Sequence, residues 1–170
     1  MRDGKIPDSA VWQVLSRQTL YDFPPFLRLE KQTVRLPAGQ VVNDYHWLDM
    51  PDSCLVCPLT IDRKVLILRG YRHGAGEVTS FLPGGHVDVD ESPLVAAQRE
   101  LLEETGYVAA NCVSMGSFIP NGNYGCGRVH LFKATGVTRM RDPDEGDLEA
   151  MDIEVVDTKT VLHWIQSGRI

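Results

Sequence analysis

The sequence predicts an α+β fold, in which helices pack on a mixed sheet. Strand-like segments dominate the chain, one strong helix lies in its middle, and a second lies near its end. Because strands and helices also follow one another after residue 51, an α/β arrangement is the alternative. The length of 170 residues suits one domain with a small appendage. We place a boundary near residue 50, between an N-terminal β region (residues 1–50) and a main domain (residues 51–170).

The N-terminal region carries three strand-like segments, at residues 11–21, 26–36 and 41–48. Turn residues at 37–40 separate the last two, which favours a hairpin. Residues 50–53, which include Pro51 and Asp52, then predict a break between secondary-structure elements. These segments predict a small antiparallel sheet ahead of the main domain.

The main domain opens with two predicted strands, residues 54–60 and 64–72, around a turn at 61–63. Residues 65–68 are continuously apolar, which indicates a central strand. Residues 71–79 read as a polar loop. Further strands are predicted at 112–119, 129–134 and 153–156, and a terminal helix at 158–165.

The clearest element is a helix over residues 92–105. Ser92 suits the N-cap, Pro93 the first helical position, and Gly106 the C-terminal stop. Apolar residues recur at i, i+3 and i+7, which predicts one face turned to the core. These residues are Leu94, Ala97 and Leu101.

Composition excludes several classes of function. With 17 basic and 23 acidic side chains, the formal charge is −6, so nucleic acid and anionic membranes are poor partners. We expect no signal peptide, and no segment reaches the roughly 18 apolar residues of a membrane span. Cys54 and Cys57 form a C-x-x-C, but we interpret it as part of a buried strand rather than as a metal or redox site. We therefore expect a cytoplasmic protein with reduced thiols.

Three carboxylates crowd one side of the mid-chain helix. Glu100 and Glu104 are one turn apart, and Glu103 lies beside them. Like charges at this spacing repel each other, and Arg99 is the only cation within the helix. A divalent cation such as Mg²⁺ would offset the repulsion, since it prefers carboxylate and phosphate oxygens. Taken alone, the cluster is more often a solvated polar face than a metal site.

The spacing around the helix decides between these readings. Gly85 is followed by five residues, a glutamate, seven residues, Arg-Glu-Leu, one residue, Glu-Glu, one residue and a glycine. This resembles the full Nudix box, with Tyr107 after it where an aliphatic residue is commoner. The positions matched are Gly85, Glu91, Arg99, Glu100, Glu103, Glu104 and Gly106. The resemblance implies an α/β/α sandwich with a mixed sheet, and hydrolysis of a nucleoside diphosphate derivative.

The resemblance also implies roles for individual residues. Glu100 and Glu104 match the main metal ligands of the family, Glu103 an auxiliary ligand, and Gly84 the carbonyl that often joins them. The implied cofactor is Mg²⁺, with Mn²⁺ as a substitute. Glu91 and Arg99 are interpreted as a structural ion pair that braces the loop against the helix. Because Gly84 and Gly85 have no side chain, their backbone could approach a metal ion and a phosphate group closely.

The surroundings of the box resemble the ADP-ribose and ADP-sugar pyrophosphatase branch of the family. That branch implies a homodimer built through the N-terminal β region. It also favours ADP-ribose or a related nucleotide sugar as substrate, with a nucleoside monophosphate and a sugar phosphate as products. Arg69 and Arg72, at the end of a predicted strand, are candidates with Gly85 for binding the diphosphate. Phe81 departs from the branch, which commonly has glutamate there.

The general base is predicted on a late acidic loop, where Glu149 best fits the family spacing. Two other functions stay open. One is hydrolysis of nucleoside triphosphates or dinucleoside polyphosphates, and the other is a catalytically silent module that binds a nucleotide.

Overall fold

The computed structural model describes residues 10–144 and 150–169, and this part of the chain forms eleven strands and two helices. In chain order they are β1 (Gln13–Phe23), β2 (Leu27–Arg35), β3 (Val41–Asp49), β4 (Ser53–Leu59), β5 (Lys64–Arg72), β6 (Glu77–Phe81), α1 (Pro93–Thr105), β7 (Tyr107–Val108), β8 (Asn111–Phe118), β9 (Val129–Thr135), β10 (Thr138–Arg139), β11 (Met151–Asp157) and α2 (Thr158–Gln166).

The chain divides into two compact units. The first contains the described part of Met1–Pro51 together with Ile119–Gly127. Its three strands form an antiparallel sheet in the order β1-β2-β3, which confirms the predicted N-terminal strands. Every residue of β1 is exposed to solvent.

The second unit holds a six-stranded mixed sheet with the order β11-β5-β4-β9-β8, and β6 pairs with β5. Strands β4 and β9 are parallel, whereas the other pairs are antiparallel. Helix α1 packs on this sheet around a core of buried apolar side chains. They are Cys54, Val56, Leu66, Ala96, Ala97, Leu101, Phe132, Ala134 and Val137. The predicted mixed sheet with few helices is confirmed.

Two local predictions are wrong. The stretch predicted as a loop over residues 71–79 ends in strand β6, because the chain reverses within residues 73–76 and pairs Glu77 with Arg72. Leu94 does not face the core but is 40% exposed, since the helix buries Ala96 and Ala97 in its first turns instead.

The predicted internal strand agrees with the structure. Val65 to Leu68 are all buried, as expected for an internal strand. All four cysteines are free thiols, and Cys54 is buried in β4. Among the described helices, none has the length and apolar character needed to cross a membrane.

Candidate active site

The glycine-rich segment before α1 lies alongside strand β4. The Val56 amide donates to the Pro83 carbonyl at 2.8 Å, and the Cys54 amide donates to the Gly85 carbonyl at 2.8 Å. Residues 83–86 therefore lie beside the first half of β4, on the side that faces β5. In the described structure, β4 pairs directly with β5 only at its far end, where Leu59 meets Val65. Backbone hydrogen bonds on either side of Gly84 thus hold this segment against β4.

Each glycine is required by a close approach. A Cβ on Gly84, whose φ is 156°, would overlap the carbonyl oxygen of Cys54. A Cβ on Gly85 would overlap the carboxylate of Glu100, its carbon lying 2.6 Å away. The first clash is with rigid backbone and the second with the end of a side chain. Gly84 therefore allows the strand pairing, and Gly85 makes room for Glu100.

Helix α1 begins and ends as its sequence predicts. The Ser92 hydroxyl accepts a hydrogen bond from the Val95 amide at 3.3 Å, Pro93 is the first helical residue, and Gly106 ends the helix with φ of 73°. A Cβ on Gly106 would also overlap the backbone of Arg141. These caps fix where the helix begins and ends, and therefore where its three glutamates lie relative to its two ends.

The three glutamates have different environments. Glu104 is buried, and its Oε2 accepts a hydrogen bond from the Gly84 amide at 2.7 Å. The side chain of Glu100 is 14% exposed and that of Glu103 is 41% exposed. Burial thus increases from Glu103 through Glu100 to Glu104, toward the glycine segment.

Arg99 connects this helix to the loop before it. Its Nε and Nη2 donate to the two carboxylate oxygens of Glu91 at 3.1 and 3.0 Å, and Nη2 also donates to the His86 carbonyl at 3.0 Å. This places Glu91 and Arg99 together as predicted for a structural ion pair. Hydrogen bonds from Arg99 lower the pKa of Glu91, and the Glu91 carboxylate raises that of Arg99.

Arg99 has a second set of partners. Its Nη1 donates to Glu100 Oε1 at 2.8 Å and to Glu103 Oε2 at 3.0 Å. One nitrogen thus draws two carboxylates together and offsets their repulsion. Within the described residues, no group of three or more histidine, cysteine, aspartate or glutamate side chains is already arranged to hold a metal ion. The metal ligands predicted from the sequence therefore stay a prediction.

The predicted diphosphate-binding arginines do not share one face. Arg69 and Arg72 are three residues apart on β5, so their side chains leave the strand on opposite sides. Arg69 is exposed, whereas the guanidinium carbon of Arg72 lies 3.7 Å from the centre of the Phe81 ring. The residue that departs from the branch pattern, Phe81, is therefore a stacking partner of Arg72.

Glu149, the predicted general base, lies outside the described residues. The described ends of its segment are attached to the two elements that flank the site. The Asp144 amide donates to the Glu103 carbonyl at 2.8 Å. On the other side, the Ala150 carbonyl lies 3.1 Å from where a Cβ on Gly70 would stand.

Two contributions to the site were not visible in the sequence. Cys54 acts through its backbone, by binding Gly85 and by closely covering Gly84, and His86 acts through the carbonyl that accepts from Arg99. Backbone groups carry no signature in a residue pattern. The available hint was the buried strand at Cys54, next to a segment with two glycines that some neighbour had to approach.

Comparison with known proteins gives a consistent assignment. The family model for the NUDIX domain matches residues 50–166. A CMP-5'-(N-acetyl-N-hydroxy-3-aminopropyl)phosphonate hydrolase from Streptomyces rubellomurinus is 30% identical over 146 residues, which cover 85% of this chain and 69% of that protein. An ADP-ribose pyrophosphatase from Bacillus subtilis is 25% identical over 140 residues, or 82% of this chain and 75% of the relative.

Two further similarities extend the comparison. A methanol dehydrogenase activator from Bacillus methanolicus is 27% identical over 147 residues, covering 85% of this chain and 78% of the relative. A crystal structure of an ADP compounds hydrolase superimposes with a TM-score of 0.70 at 18% identity, covering 89% of this chain and 82% of the other. At that identity the superposition shows a common fold.

Proposed function

This chain belongs to the Nudix family of hydrolases, and from that premise we propose that it cleaves the diphosphate linkage of a nucleoside diphosphate derivative with the help of Mg²⁺. ADP-ribose or a related nucleotide sugar is the preferred substrate class. The products would be a nucleoside monophosphate and a sugar phosphate. The observation that carries the proposal is the complete box, whose Glu100 and Glu103 converge on one nitrogen of Arg99 while Glu104 binds the backbone of Gly84.

The donor set fits a hard divalent cation. Carboxylate and carbonyl oxygens are the ligands that Mg²⁺ prefers, and Glu100, Glu103, Glu104 and the Gly84 carbonyl supply them. Glu100 and Glu103 already converge on a positive charge, although it is the guanidinium of Arg99. Mg²⁺ or Mn²⁺ bound there would neutralise the diphosphate and lower the pKa of a water ligand.

The residues of the chain have separate tasks in the proposed reaction. Gly85 leaves space for backbone beside Glu100, and Glu91 binds Arg99, which ties the loop to the helix. Glu149 is the proposed general base, which would take a proton from the water that attacks phosphorus. The phosphorus–oxygen bond then breaks, and the sugar phosphate or the nucleoside monophosphate leaves. Arg69 or Arg72 is proposed to hold the diphosphate. Because they leave β5 on opposite faces, only one of them can contact it.

The identity of the nucleoside in the substrate is less firmly supported than the type of reaction. The relatives include one protein named for ADP-ribose and another, with higher identity, named for a CMP derivative. Phe81 replaces the glutamate common in the ADP-ribose branch, which removes a negative charge next to Arg72. A cytidine derivative that joins a monophosphate to a phosphonate is therefore the second candidate substrate.

We also propose a homodimer, formed through the N-terminal sheet, in a reducing cytoplasm. The proposal is supported by the exposure of the whole of β1 and of the aromatic residues around it. Exposed apolar patches of this kind mark interfaces. The four free thiols fit a reducing compartment.

A substrate panel tests the proposed function. The purified protein is incubated with Mg²⁺ and ADP-ribose, a CMP derivative, a nucleoside triphosphate or a dinucleoside polyphosphate, and released phosphomonoester is measured. We expect turnover of ADP-ribose or the CMP derivative above the triphosphate, abolished in folded Glu100→Gln and by chelation. The reverse preference would favour a triphosphate or polyphosphate hydrolase. Binding without turnover would make the protein a silent nucleotide-binding module.

A further inference from the structure

Asp52 joins strand β9 to the glycine-rich segment of the box. Its Oδ2 lies 2.8 Å from Nε2 of His130, and its Oδ1 accepts a hydrogen bond from the Arg128 amide at 2.8 Å. Its carbonyl accepts from the Val87 amide at 2.9 Å. Asp52, which is not a box position, thus contacts two neighbours of β4: the start of β9 on one side and the glycine-rich segment on the other.

The position of Asp52 affects Gly84 and Gly85 through the residues that follow it. Ser53 follows it, bridging to His86 and donating to the Arg128 carbonyl. Cys54 comes next and donates its amide to Gly85, while its carbonyl leaves no space for a side chain at Gly84. Because these contacts are made by rigid backbone, a shift of Asp52 along β4 would move the segment that faces Glu100 and Glu104.

His130 is placed on the same face of the sheet as α1. It pairs with Cys54 across the parallel β4–β9 ladder, and Phe132 and Ala134, two and four residues later, belong to the core beneath the helix. The side chains of His130 and Asp52 are 20% and 42% exposed. The pair therefore lies at the edge of the core, where its contribution to global stability is small.

The electrostatics favour a persistent contact. Burial alone would raise the pKa of Asp52, but hydrogen bonds from His130 and from the Arg128 amide lower it below its ordinary value. Arg128, the residue before β9, also places a positive charge near the carboxylate and favours its ionised form.

We propose that Asp52 and His130 are positioning residues for the hydrolysis. Their contact fixes the start of β4 against β9, and so holds Gly84 and Gly85 in register with Glu104 and Glu100. The activity part of this inference rests on the proposed function, whereas its structural part does not. Neither residue belongs to the box, and neither touches the reacting groups.

The test compares two replacements of the same ring. His130→Gln keeps a nitrogen donor where Nε2 stands, and His130→Leu keeps volume without a donor. We expect kcat to fall between ~10-fold and ~100-fold in His130→Leu with little change in KM, because a small misplacement of the site is costly. Hydrogen exchange at the amides of Cys54 and Val87 should accelerate about tenfold as their local protection is lost. His130→Gln should restore both quantities.

Controls make either result decisive. His163→Leu on the exposed face of α2 should change neither quantity. If His130→Leu fails to fold, Asp52→Ala removes the same contact and should give the same two effects. Unchanged exchange at Cys54 and Val87, or a failure of His130→Gln to restore them, would overturn the inference. If the unmodified protein hydrolyses no nucleotide, the proposed function fails, but the exchange measurements still decide whether the pair holds the box segment.

Discussion

The buried carboxylate of Glu104 accepts a hydrogen bond from the Gly84 amide at 2.7 Å, across twenty residues of sequence. This bond joins the helix that carries the three glutamates to the glycine segment. Glu104 therefore combines a structural contact with a proposed ligand role, and two substitutions can separate them.

We expect Glu104→Gln to remain folded but to lose hydrolysis. The amide oxygen of glutamine can still accept from Gly84, whereas the negative charge is gone. Activity should fall roughly 100-fold or more, equivalent to about 2.7 kcal/mol of transition-state stabilisation. Glu104→Ala should lose activity equally and also unfold more easily by about 1–3 kcal/mol, because it leaves the Gly84 amide unsatisfied. Steady-state kinetics and urea unfolding measure the two effects. A Glu104→Gln variant with normal turnover would exclude Glu104 as a ligand.

The helix and its ion pair could be predicted from the sequence. The pairing of residues 83–86 with strand β4, which completes the site, could not. The spacing from Gly85 to Gly106 predicted α1, its caps and the Glu91–Arg99 ion pair, since each depends on residues close in the chain. The alignment of residues 83–86 with β4 depends on backbone bonds to a strand about thirty residues earlier, which no side-chain pattern reports. Leu94 was misplaced for a related reason, because which helical face is buried depends on the sheet beneath it.

Gly84 and Gly85 should respond differently to replacement by alanine. At Gly84 a Cβ meets the rigid Cys54 backbone, so Gly84→Ala should destabilise the fold by about 1–3 kcal/mol, as overpacked sites do. At Gly85 the Cβ meets the end of the Glu100 side chain, which can move aside. Gly85→Ala should therefore keep most of its stability and lose most of its kcat. Gly74→Ala, where nothing lies within 4 Å, is the matched control for both measurements. Equal losses of stability in Gly84→Ala and Gly85→Ala would contradict this division.

The Glu91–Arg99 pair should make stability depend on acidity. The pKa of Glu91 is lowered from its ordinary 4.5 in the folded protein. Its stabilising contribution is therefore complete above pH 4.5 and is lost as the pH falls through the lowered value. Urea unfolding should show that Glu91→Gln is less stable than the unmodified protein at neutral pH, and that this difference in stability narrows as the pH falls below 4.5. Glu154→Gln, on β11, is the control for the loss of one carboxylate outside this pair. A difference that is constant with pH would mean that the charge of Glu91 is unimportant.

The exposed strand β1 should mediate self-association. Tyr21, Phe23 and Phe26 form a stacked series of rings, with neighbouring centres 6.4 and 5.7 Å apart, and each ring is about half exposed. Light scattering after gel filtration should give the mass of a dimer for the unmodified chain. Phe23→Glu should convert it to a monomer by placing a charge in the contact. Ile61→Glu, at an exposed turn of the other unit, should leave the dimer intact. A monomeric unmodified chain at micromolar concentration would remove the proposed interface.

Glu149 should control the acid limb of the pH–rate profile. A general base must be deprotonated to accept the proton of water, so kcat rises through its pKa, and replacing it removes both the limb and a factor of roughly 10²–10⁴ in rate. The Asp144 amide binds the Glu103 carbonyl, so the segment that carries Glu149 starts from the helix of the proposed metal ligands. Glu149→Gln should lose the acid limb, whereas Glu145→Gln, its matched control in the same segment, should keep it. If both variants keep the profile of the unmodified enzyme, the base lies elsewhere, and the exposed carboxylate of Glu103 becomes the next residue to replace, because it is the box glutamate most open to solvent.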